Sequence, residues 1–182
     1  LVEGILDAGA DVYDLGLTST PMVYFATANY GFDASVQITA SHNPGNYNGM
    51  KVSRANALPV ALDSGLGQIK EWMESGRPTP VAEKRGNVHK MEIMDDYLAF
   101  MEQFRGDWSN LKIAFDLSNG MSCLFARKVF GEGHDYLFDT IDGSFPNHEP
   151  NPLIPANVQP LKDLVARQGS DKMLYTSCPY VL

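Results

Sequence analysis

The stretch ASVQITASHNPGNYNGMK, residues 34–51, decides the fold of the surrounding chain. Val36 and Ile38 alternate with polar neighbours, which predicts a half-buried strand that ends at Thr39. A turn rich in Asn, Pro and Gly follows directly. Ser41 therefore lies just past a strand end, where open α/β sheets bind their ligands.

The turn brings together three side chains that can take part in chemistry. Ser41 carries a hydroxyl, His42 an imidazole and Lys51 an amine. A serine hydroxyl is a poor nucleophile unless a neighbour takes its proton or its phosphorylated form is stabilised, and His42 and Lys51 suit both tasks. Asn43 and Gly49 let the backbone turn tightly, so that N–H groups approach a bound anion. The pattern predicts a phosphoryl-transfer loop. The alternative is a polar hairpin connection in which Ser41 only caps a turn.

Helical and strand patterns alternate along the chain and predict an α/β fold. Strands are expected at 12–15, 36–39, 50–52, 111–115 and 136–138, and helices at about 2–9, 21–30, 62–74, 91–104, 124–130 and 158–168. Thr20 is the expected cap of the second helix, and Asp63 or Ser64 that of the third. The breaker-rich segment 75–80 begins a connection that ends near Asn87. We therefore expect two domains, 1–87 and 88–182.

Composition limits the classes of partner. The net charge is −8, from 14 Lys and Arg against 22 Asp and Glu, which argues against a nucleic-acid or anionic-membrane surface. No run approaches the ~18 apolar residues of a membrane span. Two cysteines, Cys123 and Cys178, are too few for a disulfide framework and are expected to be free thiols. A cytoplasmic location is the expectation.

Other residues have plainer explanations. His89, His134 and His148 lack the spacing of metal ligands and are expected to be surface or turn residues. Asp116 ends a strand beside Ser118, where turn chemistry explains it. Methionines at helical spacing, Met91, Met94 and Met101, are expected to pack in a core or against the linker.

The segments Thr39–Pro44 and Tyr47–Lys51 resemble the active-site serine loop of the α-D-phosphohexomutases, with the phosphomannomutase branch as the nearest match. Three further segments resemble that family in the same order along the chain: Gly16–Pro21, Phe115–Gly120 and Phe145–Pro152. The resemblance implies three-layer α/β/α domains with a mixed, mostly parallel sheet.

The resemblance also implies a reaction. The family moves a phosphoryl group between the 1- and 6-positions of a hexose, such as mannose or glucose phosphate, through a bisphosphorylated sugar. Ser41 would carry the phosphate, and Mg²⁺ would bind that phosphate together with aspartates elsewhere. His42 would contact the reacting region, and Lys51 would assist proton transfer or neutralise charge.

The chain departs from the family pattern at both ends. It starts at Leu1, inside what resembles an early helix. After Gly169 the family continues with a strand and an Asp-Gly-Asp-type metal loop, whereas here no aspartate follows Asp171. We expect an incomplete phosphohexomutase without mutase activity of its own, whose second domain exposes apolar surface at its missing strand.

Two function classes stay open at this stage. One is part of a hexose-phosphate mutase that carries the phosphoserine. The other is a non-catalytic α/β module that binds a phosphosugar or a partner through the same loop. A hydrolase built on Ser41 is a weaker third alternative, because neither a remote base nor an oxyanion hole can be located.

Overall fold

The computed structural model describes residues 1–43 and 46–176. Six α-helices and eight strands alternate along this part of the chain. In chain order they are α1 (Val2–Asp7), β1 (Val12–Asp14), α2 (Thr20–Asn29), β2 (Ala34–Ile38), β3 (Met50–Arg54), β4 (Leu58–Pro59), α3 (Leu66–Glu74), β5 (Val88–Lys90), α4 (Met94–Glu102), β6 (Ile113–Asp116), α5 (Ala126–Phe130), β7 (Asp135–Leu137), α6 (Pro155–Gln168) and β8 (Lys172–Tyr175). Short 3₁₀ turns lie at Ala55–Ala57, Leu62–Ser64 and Met121–Leu124.

The strands form three small sheets. β1 and β5 pair in parallel, with Val12 opposite Val88. β2, β3 and β4 form an antiparallel sheet, in which Ile38 lies opposite Met50. β6 lies between β7 and β8, and both pairings are parallel. The strand pairing is therefore mixed and mostly parallel, as the α/β expectation requires.

The core of the N-terminal half lies between α2 and the start of α4. Met22 and Ala26 of α2 pack against Ile93 and Tyr97, and all four are at least 95% buried. The three methionines at helical spacing, Met91, Met94 and Met101, pack around this cluster, which confirms their predicted place. Residues on both sides of Asn87 thus share one core, and β5 pairs with β1. The division into domains 1–87 and 88–182 stays a prediction.

β6 is buried along its whole length because helices cover both faces of its sheet. Ile113 and Phe115 pack towards Ala126 of α5, whereas Ala114 packs against Leu161 and Leu164 of α6. Successive residues of a strand point to opposite faces, so a strand covered on both sides is continuously apolar. This half of the chain has the helix–sheet–helix layering that the family resemblance implies.

The last strand corrects one prediction. The resemblance predicts that the second domain lacks the strand after Gly169, but residues 172–175 form β8, which pairs with β6 in parallel from Ile113 opposite Lys172. Asp171 fixes the start of this pairing, because its carboxylate accepts a hydrogen bond from Lys112 N at 2.8 Å. β8 and β7 are the two edge strands of this sheet as the structure describes it, and Met173 of β8 is 52% exposed.

Helix starts and lengths differ from several predictions. Ser19, not Thr20, caps α2, and its Oγ accepts a hydrogen bond from Met22 N at 3.4 Å. Gly65, with φ of 151°, separates the 3₁₀ turn from α3, so neither Asp63 nor Ser64 caps that helix. Because Phe125 is not helical, the predicted helix at 124–130 shortens to α5.

The large apolar side chains on α3 are not buried in the described part of the chain. Ile69 is 52% exposed and Met73 75% exposed. Among the residues that the structure describes, no helix is long and apolar enough to cross a bilayer.

Candidate functional site

Ser41 lies in the connection between two antiparallel strands. β2 ends at Ile38 and β3 begins at Met50, so residues 39–49 form a hairpin loop, of which Pro44 and Gly45 lie outside the described residues. A hydrogen bond of 2.8 Å from Thr39 N to Gly49 O closes its base. Hairpin loops usually need two to five residues, so the extra length is typical of a loop with a function of its own. Because this sheet is antiparallel, the rule for parallel sheets does not explain the position of Ser41.

Ser41 has an uncommon backbone conformation. Its φ is 55°, in the left-handed region that a serine rarely adopts. Ser41 N donates a hydrogen bond of 3.0 Å to the hydroxyl oxygen of Thr39. Such strained conformations persist only where the surrounding structure holds them, and they cluster at functional sites.

The hydroxyl of Ser41 faces an imidazole. Ser41 Oγ lies 3.3 Å from His42 Nδ1. Ser41 is half-buried and His42 is exposed, so a ligand in solvent can reach both. The structure therefore brings together the first two predicted site residues.

Asn43 and Gly49 shape the loop through its backbone. Asn43 Nδ2 donates a hydrogen bond of 2.7 Å to Ala40 O, which stabilises the turn after Ser41. A Cβ atom added to Gly49 would lie 2.8 Å from the Thr39 carbonyl oxygen, closer than real Cβ atoms come. Both positions have the geometry expected of residues that support a tight turn.

Lys51 is an exposed residue of β3, and its Cα lies opposite that of Gln37 in β2. Within residues 1–43 and 46–176 it makes no ion pair and no hydrogen bond to Ser41 or His42. Its amine lies in solvent close in sequence to the loop, and its proposed role stays a prediction.

The loop at Gly16–Pro21 lies beside β2. Thr18 Oγ1 donates a hydrogen bond of 3.4 Å to Gln37 Oε1, and both residues are buried. This contact connects the segment Gly16–Pro21 to β2, the strand that precedes the Ser41 loop. The Ser19 hydroxyl in the same segment caps α2.

A second polar cluster lies at the carboxyl end of β6. Asp116 is fully buried, and its Oδ1 accepts hydrogen bonds from Ser118 N at 2.9 Å and Ser118 Oγ at 3.1 Å. This is the turn chemistry predicted for Asp116. The other carboxylate oxygen, Oδ2, lies 3.0 Å from His148 Nε2.

The position of His148 corrects the expectation of a surface or turn residue. Its side chain is only 6% exposed, and its Nδ1 lies 2.9 Å from Glu149 O. A carboxylate and a carbonyl are both acceptors, so each ring nitrogen of His148 faces a hydrogen-bond acceptor. The other two histidines differ from it: His89 is about half exposed, and His134 Nδ1 accepts a hydrogen bond from Ile113 N.

Burial and nearby charges shift several pKa values near this cluster. Burial, and then the charge of Asp139, raises the pKa of Cys123 to about 12. Burial also raises the pKa of Tyr175, whose ring stacks on His148. Cys123 is a free thiol, as predicted, whereas Cys178 lies outside the described residues.

Comparison with known proteins identifies the group to which these features belong. Residues 1–78 match the model of the phosphoglucomutase/phosphomannomutase alpha/beta/alpha domain I. A phosphomannomutase of Salmonella typhimurium is 36% identical over 182 residues, which cover 94% of this chain and 40% of that protein. The chain belongs to the phosphohexomutase family.

Two further comparisons support this family assignment. A phosphomannomutase/phosphoglucomutase of Pseudomonas putida is 34% identical and covers 94% of this chain and 36% of its own length. A crystal structure of a phosphoglucomutase/phosphomannomutase family protein from Burkholderia thailandensis superposes with a TM-score of 0.72, at 26% identity, over 92% of this chain and 38% of its own. The chain spans about 40% of the length of the curated relatives it matches.

The family-domain match includes the serine loop but ends well before Asp116 and His148. Sequence reasoning found the loop because its residues are contiguous. It missed the buried pair, since 32 positions separate the two partners. The available signal was a charged residue, Asp116, directly after the apolar run Ile113–Phe115.

Proposed function

We propose that Ser41 is the phosphoryl carrier of a phosphohexomutase that interconverts hexose 1-phosphate and hexose 6-phosphate. The observation that carries this proposal is the half-buried Ser41 near the base of the loop, with its hydroxyl 3.3 Å from His42 Nδ1 and its backbone in the left-handed region. Support also comes from the relatives, whose names are phosphomannomutase and phosphoglucomutase.

The proposed transfer has two halves, one from Ser41 to the sugar and one from the sugar back to Ser41. In the first, the bond between phosphorus and Ser41 Oγ breaks as a sugar hydroxyl oxygen bonds to phosphorus, and that hydroxyl's proton passes to Ser41 Oγ. The resulting sugar bisphosphate reorients. In the second half, Ser41 Oγ bonds to the phosphorus at the other end of the sugar as the bond between that phosphorus and the sugar oxygen breaks, and the Ser41 hydroxyl proton passes to the released sugar oxygen. His42 contacts the reacting oxygen, and the exposed ammonium of Lys51 offsets the phosphate's negative charge.

Mg²⁺ is part of this proposal as a hard cation that prefers oxygen ligands. When bound, it would neutralise charge on the phosphoryl oxygens. Within the described residues no group of three His, Cys, Asp or Glu side chains is arranged to hold a metal ion. These residues alone do not form a magnesium cage, so the phosphate on Ser41 is the single ligand we assign to this chain. The expected cytoplasmic location likewise stays a prediction.

Phosphorylation of Ser41 tests the proposal directly. The purified chain is incubated with glucose or mannose 1,6-bisphosphate and Mg²⁺, and intact-protein mass spectrometry follows the gain of one phosphoryl group. Peptide mapping should place that group on Ser41, and Ser41→Ala should abolish it. Ser75→Ala is a matched control, because Ser75 is exposed and bonds only to the end of α3. A standard mutase assay on the same sample tests the expectation that this chain does not turn over.

The binding-module alternative predicts the opposite result. The chain would then bind the hexose phosphates with an affinity that Ser41→Ala leaves unchanged, and no phosphoserine would form. That outcome would overturn the assignment of Ser41 as a carrier.

A further inference from the structure

The left-handed backbone of Ser41 requires something to hold it. A non-glycine residue in this conformation costs on the order of 1–3 kcal/mol, and local bonds must offset that cost. Two hydrogen bonds from Asn43 to Ala40 O close the turn around Ser41, and the hydrogen bond from Ser41 N to Thr39 Oγ1 holds the Ser41 amide itself.

Thr39 is itself fixed on several sides. It is only 7% exposed, and its own N–H donates to Gly49 O across the base of the loop. Its carbonyl lies against the Gly49 backbone so closely that no side chain fits between them. Threonine is also branched at Cβ, so its hydroxyl has little rotational freedom. A rigid residue thus presents an acceptor to the Ser41 amide.

We propose that Thr39 is a positioning residue for Ser41, a role that rests on the proposed phosphoryl transfer. The Thr39 hydroxyl holds the Ser41 amide, which fixes φ and thereby the direction of Oγ towards His42. Thr39 needs no contact with the sugar for this role. Holding a nucleophile in a reactive geometry raises the rate of transfer without changing how tightly the substrate binds.

Two substitutions separate the hydroxyl from the rest of the side chain. Thr39→Val keeps the branched shape and removes the acceptor, whereas Thr39→Ser keeps the acceptor and removes a methyl group. Thr27→Val is a matched control, because Thr27 is a fully buried threonine whose hydroxyl bonds to Val23 O and Ser35 Oγ, remote from the loop. It reports what the loss of any buried hydroxyl does to the protein.

Three measurements are made on each variant. Thermal melting shows that the variant is folded. Amide hydrogen exchange, read by NMR at Ser41, reports the Thr39 bond without any chemistry. The rate of Ser41 phosphorylation by glucose 1,6-bisphosphate, measured against sugar concentration, separates the saturating rate from the half-saturating concentration.

For Thr39→Val we expect faster exchange of the Ser41 amide and a saturating rate about tenfold lower, with the half-saturating concentration unchanged, as for the loss of one hydrogen bond. Thr39→Ser should restore both readouts, and Thr27→Val should leave both unchanged. An unchanged exchange rate of the Ser41 amide in Thr39→Val would overturn the proposal. A loss of phosphorylation rate no greater than that of Thr27→Val would also overturn it. The exchange rates could differ as expected although neither the unsubstituted chain nor any variant is phosphorylated. In that case the proposed function fails, and the Thr39–Ser41 hydrogen bond has no role in phosphoryl transfer.

Discussion

Replacing His148 with alanine removes the imidazole that faces the Asp116 carboxylate at 3.0 Å. Asp116 has no exposed surface, so water does not replace the lost partner. Its bonds to Ser118 remain, and no Lys or Arg side chain in the described part of the chain bonds to it. The variant therefore leaves one oxygen of a buried carboxylate without its hydrogen-bond partner.

Leaving a buried polar group without its hydrogen-bond partner typically costs about 1–3 kcal/mol, and more where that group is charged. A domain is stable by about 5–15 kcal/mol, so this loss is a sizeable fraction of the total. At about 2–4 °C per kcal/mol for a chain of this size, a loss of about 1–3 kcal/mol should lower the melting temperature by roughly 2–12 °C. Adding Asp116→Asn to His148→Ala should recover part of the loss, since the amide carries no charge.

The free energy of unfolding is measured by urea titration, followed by circular dichroism. His89→Ala is the control: its imidazole is about half exposed, stacks on Tyr13 and lies 3.7 Å from Asp11, so only a small loss is expected. If His148→Ala costs no more than His89→Ala, the buried pair does not hold this end of the sheet and the reasoning is refuted. An Asp116→Asn addition that deepens the loss would contradict the charge argument in particular.

Three further substitutions or reactions test other parts of the structure. Gly49→Ala should lower the free energy of unfolding by about 1–3 kcal/mol, because the added Cβ would lie 2.8 Å from the Thr39 carbonyl oxygen. Gly4→Ala is the control and should not destabilise the chain, because Gly4 lies in a helix with open space around it. Equal urea midpoints for the two variants would contradict this prediction. Ser53→Ala should raise the free energy of unfolding by about 1 kcal/mol, because the Ser53 hydroxyl is buried with no hydrogen-bond partner in the described structure. A lower urea midpoint for the variant would show that the Ser53 hydroxyl makes a stabilising hydrogen bond. In a Cys178→Ser variant, Cys123 should react with a thiol reagent far more slowly than free cysteine at pH 8, because a pKa of about 12 keeps the thiol protonated. The labelling rate should rise about tenfold per pH unit up to that pKa. Rapid labelling of the folded protein at pH 8 would contradict this prediction.

Periodicity in the sequence predicted the longer elements well. Strands β2 and β6 and helices α2, α4 and α6 occur where the apolar spacing places them, with ends shifted by a few residues. The two-residue β4 pairs with the neighbouring β3 and is too short to show a period. The three-residue β5 was missed because its partner β1 lies far away in the chain and no local period marks it. β8 was missed because the expectation for residues 171–182 came from comparison with a motif. Its own Met-Leu-Tyr run is suited to a strand.

The candidate site was predictable only in part. The residue types around Ser41 are contiguous in sequence, so their chemistry was visible there. The left-handed φ of Ser41 and its bond to Thr39 depend on three-dimensional packing, which one serine in a sequence does not reveal. The burial of His148 depends on a loop that folds back over the end of β6, and sequence spacing carries no trace of such a contact.

The parallel pairing of β1 with β5 has a consequence for cleavage of the chain. The segment between α3 and Lys84 is exposed, which makes it a ready substrate for proteases. A nick there would not release two separate pieces. The N-terminal piece would keep its hydrogen bonds to β5, and Ile93 and Tyr97 would stay packed on its second helix. The two halves would remain a noncovalent complex after cutting and would come apart only on unfolding.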